Sequence, residues 1–184
     1  MPRDVDILVD LVRTEFGSIA FPSHCGLRAA VAMDDWISDP SELRRITAEQ
    51  DVKGEWWELP ESELKNISLA SCYLDALGTQ FYLPALLVAV LRGLKYGHYS
   101  ALVAWLTPLK NEPDCALYDH FLAKFATLTE GQKGICMDVL RYVASRDDPK
   151  DPWTKGKIEE LLAHEYWRTS ANKALKRTRE DSRR

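Results

Sequence analysis

Two cysteines at CxxC spacing occur nowhere in the 184 residues; Cys25, Cys72, Cys115 and Cys136 stand some 20 to 50 positions apart. That spacing removes the usual zinc-ribbon and dithiol patterns. Cys72 and Cys136 fall within apolar helical patterns, where a thiol behaves as a small hydrophobe. There is no basic segment followed by an apolar run at the start, hence no signal-peptide pattern. The longest apolar stretch, Tyr82 to Leu91, is too short for a bilayer and carries Pro84. Free thiols in a reducing cytoplasm are the expectation, with no membrane involvement. Glycine-rich phosphate loops and nucleophile elbows are also missing.

Charge is present but unevenly placed. The formal net charge is −4. Residues 172–184 hold six basic and two acidic side chains, leaving 18 basic and 26 acidic residues in 1–171, a net of −8. We read 1–171 as a single domain, long enough to bury a sizeable core, and 172–184 as a frayed basic tail. An acidic body of this kind is not expected to bind nucleic acid directly.

The densest feature is the stretch from Asp34 to Glu63, with ten carboxylates against three basic side chains, a net of −7, together with Trp36, Trp56 and Trp57. Like charges this close repel unless solvated or met by something basic. Tryptophan adds flat amphipathic area of the kind enriched at binding surfaces. The candidate partner-binding residues are therefore Asp34, Asp35, Trp36, Asp39, Glu42, Glu49, Asp51, Glu55, Trp57 and Glu58. The carboxylates would act as rim and steering charges, with Trp36 and Trp57 as anchors.

The periodicity is helical almost throughout, and an all-α bundle of six to eight helices is the predicted fold. Val5, Leu8, Leu11, Val12 and Phe16 form one stripe ending near Gly17. A short helix is expected over Leu27 to Met33, and another opening at Asp39-Pro40. Asp51 to Pro60 reads as a loop. Ser62 to Leu77 returns to helical spacing with Gly78 as its stop. Phe81 to Leu94 is apolar nearly all round, with Pro84 placed in its first turn. Ser100 to Leu106 reads as helix or strand. Thr129 and Gln132 form a capping box, and Asp151-Pro152 opens the last helix, with Ile158, Leu161, Leu162 and Tyr166 facing inward. The other aromatic residues recur at helical spacing with Leu and Val, the pattern of core packing, and Trp153, Tyr166 and Trp167 are expected to pin the last helix.

Catalytic combinations are weak. His164-Glu165 lacks the second histidine of a zinc-binding pair. His24-Cys25 suggests a thiol nucleophile, but catalytic cysteine and histidine normally come from separate elements. Asp51, Glu63 and Lys65 resemble metal-nuclease positions, yet Leu64 belongs to a helical stripe. Asp147, Asp148 and Asp151 fit a solvated turn better than a cation site. His98 and His120 are isolated. The reading is a protein with no catalytic residues, no metal and no cofactor.

Three segments carry a resemblance: Gly-Glu-Trp-Trp-Glu-Leu at 54–59, Gly-Thr-Gln-Phe-Tyr-Leu-Pro-Ala-Leu-Leu at 78–87, and Phe-Ala-Thr-Leu-Thr-Glu-Gly-Gln at 125–132. With their Trp-x-x-Leu, aromatic-Tyr-Leu-Pro-Ala and Leu-Thr-x-x-Gln elements they resemble a family of small bacterial helical proteins of unassigned biochemical function. The resemblance implies a fold more than an activity. In size, acidity and helical character the chain is also similar to immunity proteins encoded beside bacterial toxins. That similarity implies a cognate toxin with a basic surface, a nuclease being one such toxin, as partner. The alternatives are a homo-oligomeric scaffold or regulatory protein, with a homodimer as its simplest form, and an unrecognised hydrolase.

Overall fold

The computed structural model describes residues 4–65, 67–93, 98–108, 116–146 and 152–167. The acidic turn at 147–151 and the basic tail lie outside them. Among the described residues there is no strand. Those residues form ten α-helices and one 3-10 turn: α1 (Val5–Phe16), α2 (Leu27–Asp34), α3 (Pro40–Gln50), the 3-10 turn (Trp56–Glu58), α4 (Glu61–Leu64), α5 (Ile67–Ala70), α6 (Ala76–Leu91), α7 (His98–Leu106), α8 (Ala116–Phe125), α9 (Glu130–Ser145) and α10 (Pro152–Ala163). The fold is all-α, as predicted; α4 and α5 are single turns, and the other eight are helices of eight residues or more.

The centre is α6. Its sequence has no polar stripe, and twelve of its sixteen residues are buried, as a helix wrapped on all sides requires. Helices α1, α7, α8 and α9 and the 3-10 turn pack against it, while α2 lies on α3 and α5 and α10 rests on α7 and α9. Leu8, Val9, Val12 and Phe16 of α1, Phe81, Leu83, Leu86 and Leu87 of α6 and Val139 and Leu140 of α9 belong to one continuous core. Tyr166 and Trp167 pin the chain after α10, as expected: Trp167 is fully buried and donates its Nε1–H to the Leu106 carbonyl at 3.0 Å, and the Tyr166 hydroxyl meets the Phe125 carbonyl at 3.3 Å. The Trp153 side chain lies outside the described residues.

The start of α6 corrects the sequence reading. The helix expected over Ser62 to Leu77 is broken into α4 and α5, and Gly78 stops nothing. Asp75 caps α6 instead, accepting the Gly78 N–H at 2.9 Å, so a short carboxylate at N-cap overrides the glycine as a stop signal. Gly78 answers to packing: an added Cβ would lie 2.7 Å from Leu74 Cδ2. Because α6 begins at Ala76 rather than Phe81, Pro84 sits in its interior. There it leaves the Gln80 carbonyl without its usual i+4 donor, and the surrounding helices must hold the segment helical. The Phe81 to Ala85 element is accordingly mid-helix. Leu128 to Gln132 is a true helix start, with Thr129 Oγ1 on the Gln132 N–H at 3.1 Å and Gln132 Oε1 on the Thr129 N–H at 3.0 Å. Ser100 to Leu106 is helical, and the Asp51 to Pro60 loop contains the 3-10 turn.

Candidate functional site

The acidic stretch is built around α2 and α3, and the two ends of α2 differ sharply. Its first turn has a glycine, Gly26, at N-cap, so no local side chain can satisfy the N–H groups left over there. Three side chains from elsewhere do so. Thr47 Oγ1 accepts the Gly26 N–H at 2.9 Å, the Tyr82 hydroxyl oxygen accepts the Leu27 N–H at 3.2 Å, and Asp51 Oδ1 accepts the Arg28 N–H at 2.8 Å. Gly26 makes room for this: a Cβ would fall 2.6 Å from Asp51 Cγ and closer still to Oδ2.

Asp51 is therefore buried, which corrects its assignment as a rim charge: its carboxyl lies against the start of α2 and accepts the Arg28 N–H that the glycine N-cap leaves unmet. Its Oδ2 is buried without a hydrogen-bond partner among the described residues. Burial pushes its pKa up to about 6, against the opposing pull of the Arg28 N–H and guanidinium. Glu63, also buried, receives Arg28 Nη2 on both oxygens at 2.9 and 3.0 Å. Asp51 and Glu63 thus do meet, but across an arginine, the arrangement of an internal ion pair.

His24 and Cys25 stand beside this junction and do not form an activated pair. His24 Nε2 faces Asp75 Oδ2 at 2.6 Å. Burial, then the charges of Asp75 and Asp51, push the Cys25 thiol up to about 11, so it stays protonated at neutral pH. His120 Nε2 lies 3.1 Å from the Cys72 carbonyl, joining α8 to the segment after α5, and His164 Nδ1 accepts the Tyr166 N–H at 3.2 Å, a local contact. The His98 side chain and Asp147, Asp148 and Asp151 lie outside the described residues. Among the described residues no three His, Cys, Asp or Glu side chains are grouped to hold a metal.

At the other end of α2 the chain turns outward. The Trp36 N–H donates to the Met33 carbonyl and the Ile37 N–H to the Ala32 carbonyl, each at 3.1 Å. This is the paired closure of a helix C-terminus whose C′ residue is left-handed and usually glycine. Here that residue is Trp36, at φ 65°, the one non-glycine residue with positive φ among those described, and its side chain is 93% exposed. Asp34 and Asp35 are exposed beside it, and Asp34 accepts the Tyr73 hydroxyl at 2.7 Å, tying the tip to the segment between α5 and α6.

The remaining candidates have local duties. Asp39 caps α3 through the Ser41 N–H at 3.2 Å and hydroxyl at 2.6 Å, which hold its carboxyl below the usual range. Glu42 and Glu49 both grip Arg45 from the exposed side of α3, and the Arg45 hydrogen bond lowers the Glu42 pKa. Glu55 and Glu58 form a capping box around the 3-10 turn, and Glu55 also accepts the Ser18 hydroxyl at 3.0 Å. Trp56 is 1% exposed and donates its Nε1–H to the Gly17 carbonyl at 2.8 Å, fastening the turn to the end of α1. Trp57 packs edge-on against it, ring centroids 5.3 Å apart, and keeps 41% of its surface exposed.

The structure thus divides the predicted residues between two stations. One holds Asp34, Asp35 and Trp36, anchored at Tyr73; the other holds Glu55, Trp57 and Glu58, anchored at Gly17 and Ser18. Glu42 and Glu49 lie on α3 between them in the chain. Sequence reasoning missed Arg28 and Tyr73, and weighed Glu63 as a metal-nuclease position where the structure gives it to Arg28. Nothing in Asp-Asp-Trp-Ile announces a left-handed C′ residue, because the signal for one is glycine or asparagine.

A family model described as a family of unknown function (DUF6714) matches residues 4–171. No curated protein and no solved structure matches the chain.

Proposed function

From the premise that the chain belongs to the DUF6714 family, a family of unknown function, we propose that it is a non-catalytic binding protein of cytoplasmic, bacterial origin. In this reading it is an immunity protein that neutralises a cognate toxin. The observation that carries the reading is a tryptophan left 93% exposed between exposed carboxylates, in a segment of net charge −7. A toxin acting on nucleic acid has a basic cleft, and a surface of carboxylates and aromatic rings competes for such a cleft and is steered to it. Cys25, held as a thiol, and the Arg28-bridged carboxylates fit a protein whose polar groups serve its own fold.

The test uses the product of the reading frame next to this one, purified in a form with its activity blocked. Association should be fast at low salt and slow as salt rises. Exchanging Asp35, Asp39, Glu42 and Glu49 for lysine should reduce the association rate by about tenfold or more. A rate indifferent to salt and to these exchanges would remove the acidic surface from the reading.

A second reading, a homo-oligomeric scaffold, draws on Leu69 of α5 and Leu77 of α6, about half exposed, with Ile7 of α1. Light scattering decides it: a monomer at working concentration rejects the scaffold.

A further inference from the structure

The two exposed tryptophans have different standing. Trp57 leans on buried Trp56 and hides more than half of its surface, as expected of a residue finishing a hydrophobic contact. Trp36 makes no ring contact among the described residues, and no other large hydrophobic side chain there is as exposed. Its backbone is left-handed, a conformation that costs a bulky L-residue stability and that glycine adopts freely. The segment around it is over-determined: two backbone hydrogen bonds close the turn, and the Asp34–Tyr73 bond holds the residue two positions before it. A strained, solvent-facing aromatic residue at a well-fixed tip gains nothing for the fold.

Resting on the binding reading above, we propose that Trp36 is the docking knob of this protein, and that it inserts into an apolar socket rimmed by arginine or lysine on a basic protein partner. The chemistry follows from its surroundings. The indole needs an apolar or cation-bearing receptor, since a guanidinium stacks favourably on its face. Asp35 is exposed directly beside it, and Asp39, exposed, and Glu42, half-buried, follow at the start of α3; an acidic or anionic receptor would be repelled. Holding the ring in one backbone conformation before contact reduces the ordering cost of binding. Trp57 then serves the rim.

The experiment compares Trp36→Gly, Trp36→Asn and Trp57→Ser in binding to the activity-blocked product of the adjacent reading frame, with denaturant unfolding of each variant. Glycine and asparagine both tolerate the left-handed position, so the two Trp36 variants should unfold at the same or higher denaturant concentration than the parent. Both should bind at least about thirtyfold more weakly, the loss expected at a hot spot. The loss should sit in the dissociation rate, with the association rate and its salt dependence kept. Trp57→Ser should weaken binding less than about fivefold.

If the Trp36 variants bind like the parent while the lysine exchanges slow association, the knob is wrong and the acidic surface stands. Equal losses at Trp36 and Trp57 also overturn the knob. If the parent does not bind this product, both proposals fall. A blue shift of Trp36 emission on adding phosphatidylcholine vesicles, absent in Trp36→Gly, would assign the knob to a lipid surface instead and overturn the protein socket.

Discussion

Helix α2 begins and ends in opposite ways. At its N-terminus three backbone N–H groups are met by Thr47, Tyr82 and Asp51, and Gly26 leaves room for the carboxylate. At its C-terminus, where glycine is the favoured residue, the chain carries Trp36 and turns its ring to solvent. One end uses glycine for packing; the other forgoes glycine where the backbone favours it. An end organised by burial answers to the fold. An end that keeps a strained aromatic residue outside the core is the natural place to look for a task beyond folding.

The contrast breaks first at Gly26. Its backbone lies in the extended region that alanine adopts freely, so Gly26→Ala should cost about 2–3 kcal/mol solely by pushing Asp51 off the helix start. Urea unfolding of the variant checks this, and a change below about 0.5 kcal/mol would show the junction to be slack. The second test is pH. Asp51 has a folded pKa raised above that of the unfolded chain, so the folded state holds the proton more tightly between about pH 4 and 6. Its contribution to stability therefore grows as pH falls through that window, with a slope of at most about 1.4 kcal/mol per pH unit. The slope should vanish in Asp51→Asn, which keeps an acceptor for the Arg28 N–H; difference curves between the two proteins isolate it from other groups.

A local cap offers a milder comparison. Thr129→Ala removes one side of the capping box of α9 and should cost about 1 kcal/mol, less than the tertiary junction of α2. The smallest effect has the opposite sign. Trp36→Gly should stabilise the protein by roughly 0.5–1 kcal/mol, the relief of left-handed strain less the added freedom of glycine in the unfolded chain. A destabilised Trp36→Gly would mean that the ring supports the fold, and the contrast between the two ends would be lost.

Much of this was legible in the residues. The stripe of α1, the Asp39-Pro40 start of α3, the Thr129 capping box and the all-round apolar character of α6 each rest on neighbours within a turn of one another. Local spacing is enough to reveal such features. The division of labour between Trp56 and Trp57 was half legible: an irregular charged segment needs one anchor, but which ring turns inward depends on the Gly17 carbonyl 39 positions away. Asp51 could not be read at all, since a carboxylate in a −7 stretch looks solvated until α2 is laid over it.

The helical class, the stripe of α1, the caps at Asp39 and Thr129 and the concentration of negative charge were set by the amino-acid string, because each depends on periodicity, short-range hydrogen bonding or simple composition. Folding in three dimensions decided which carboxylates face water, that α6 starts at Ala76 and carries Pro84 within it, and that one tryptophan packs inside while another stands out. Those outcomes depend on contacts between distant segments, whose energies no local pattern contains.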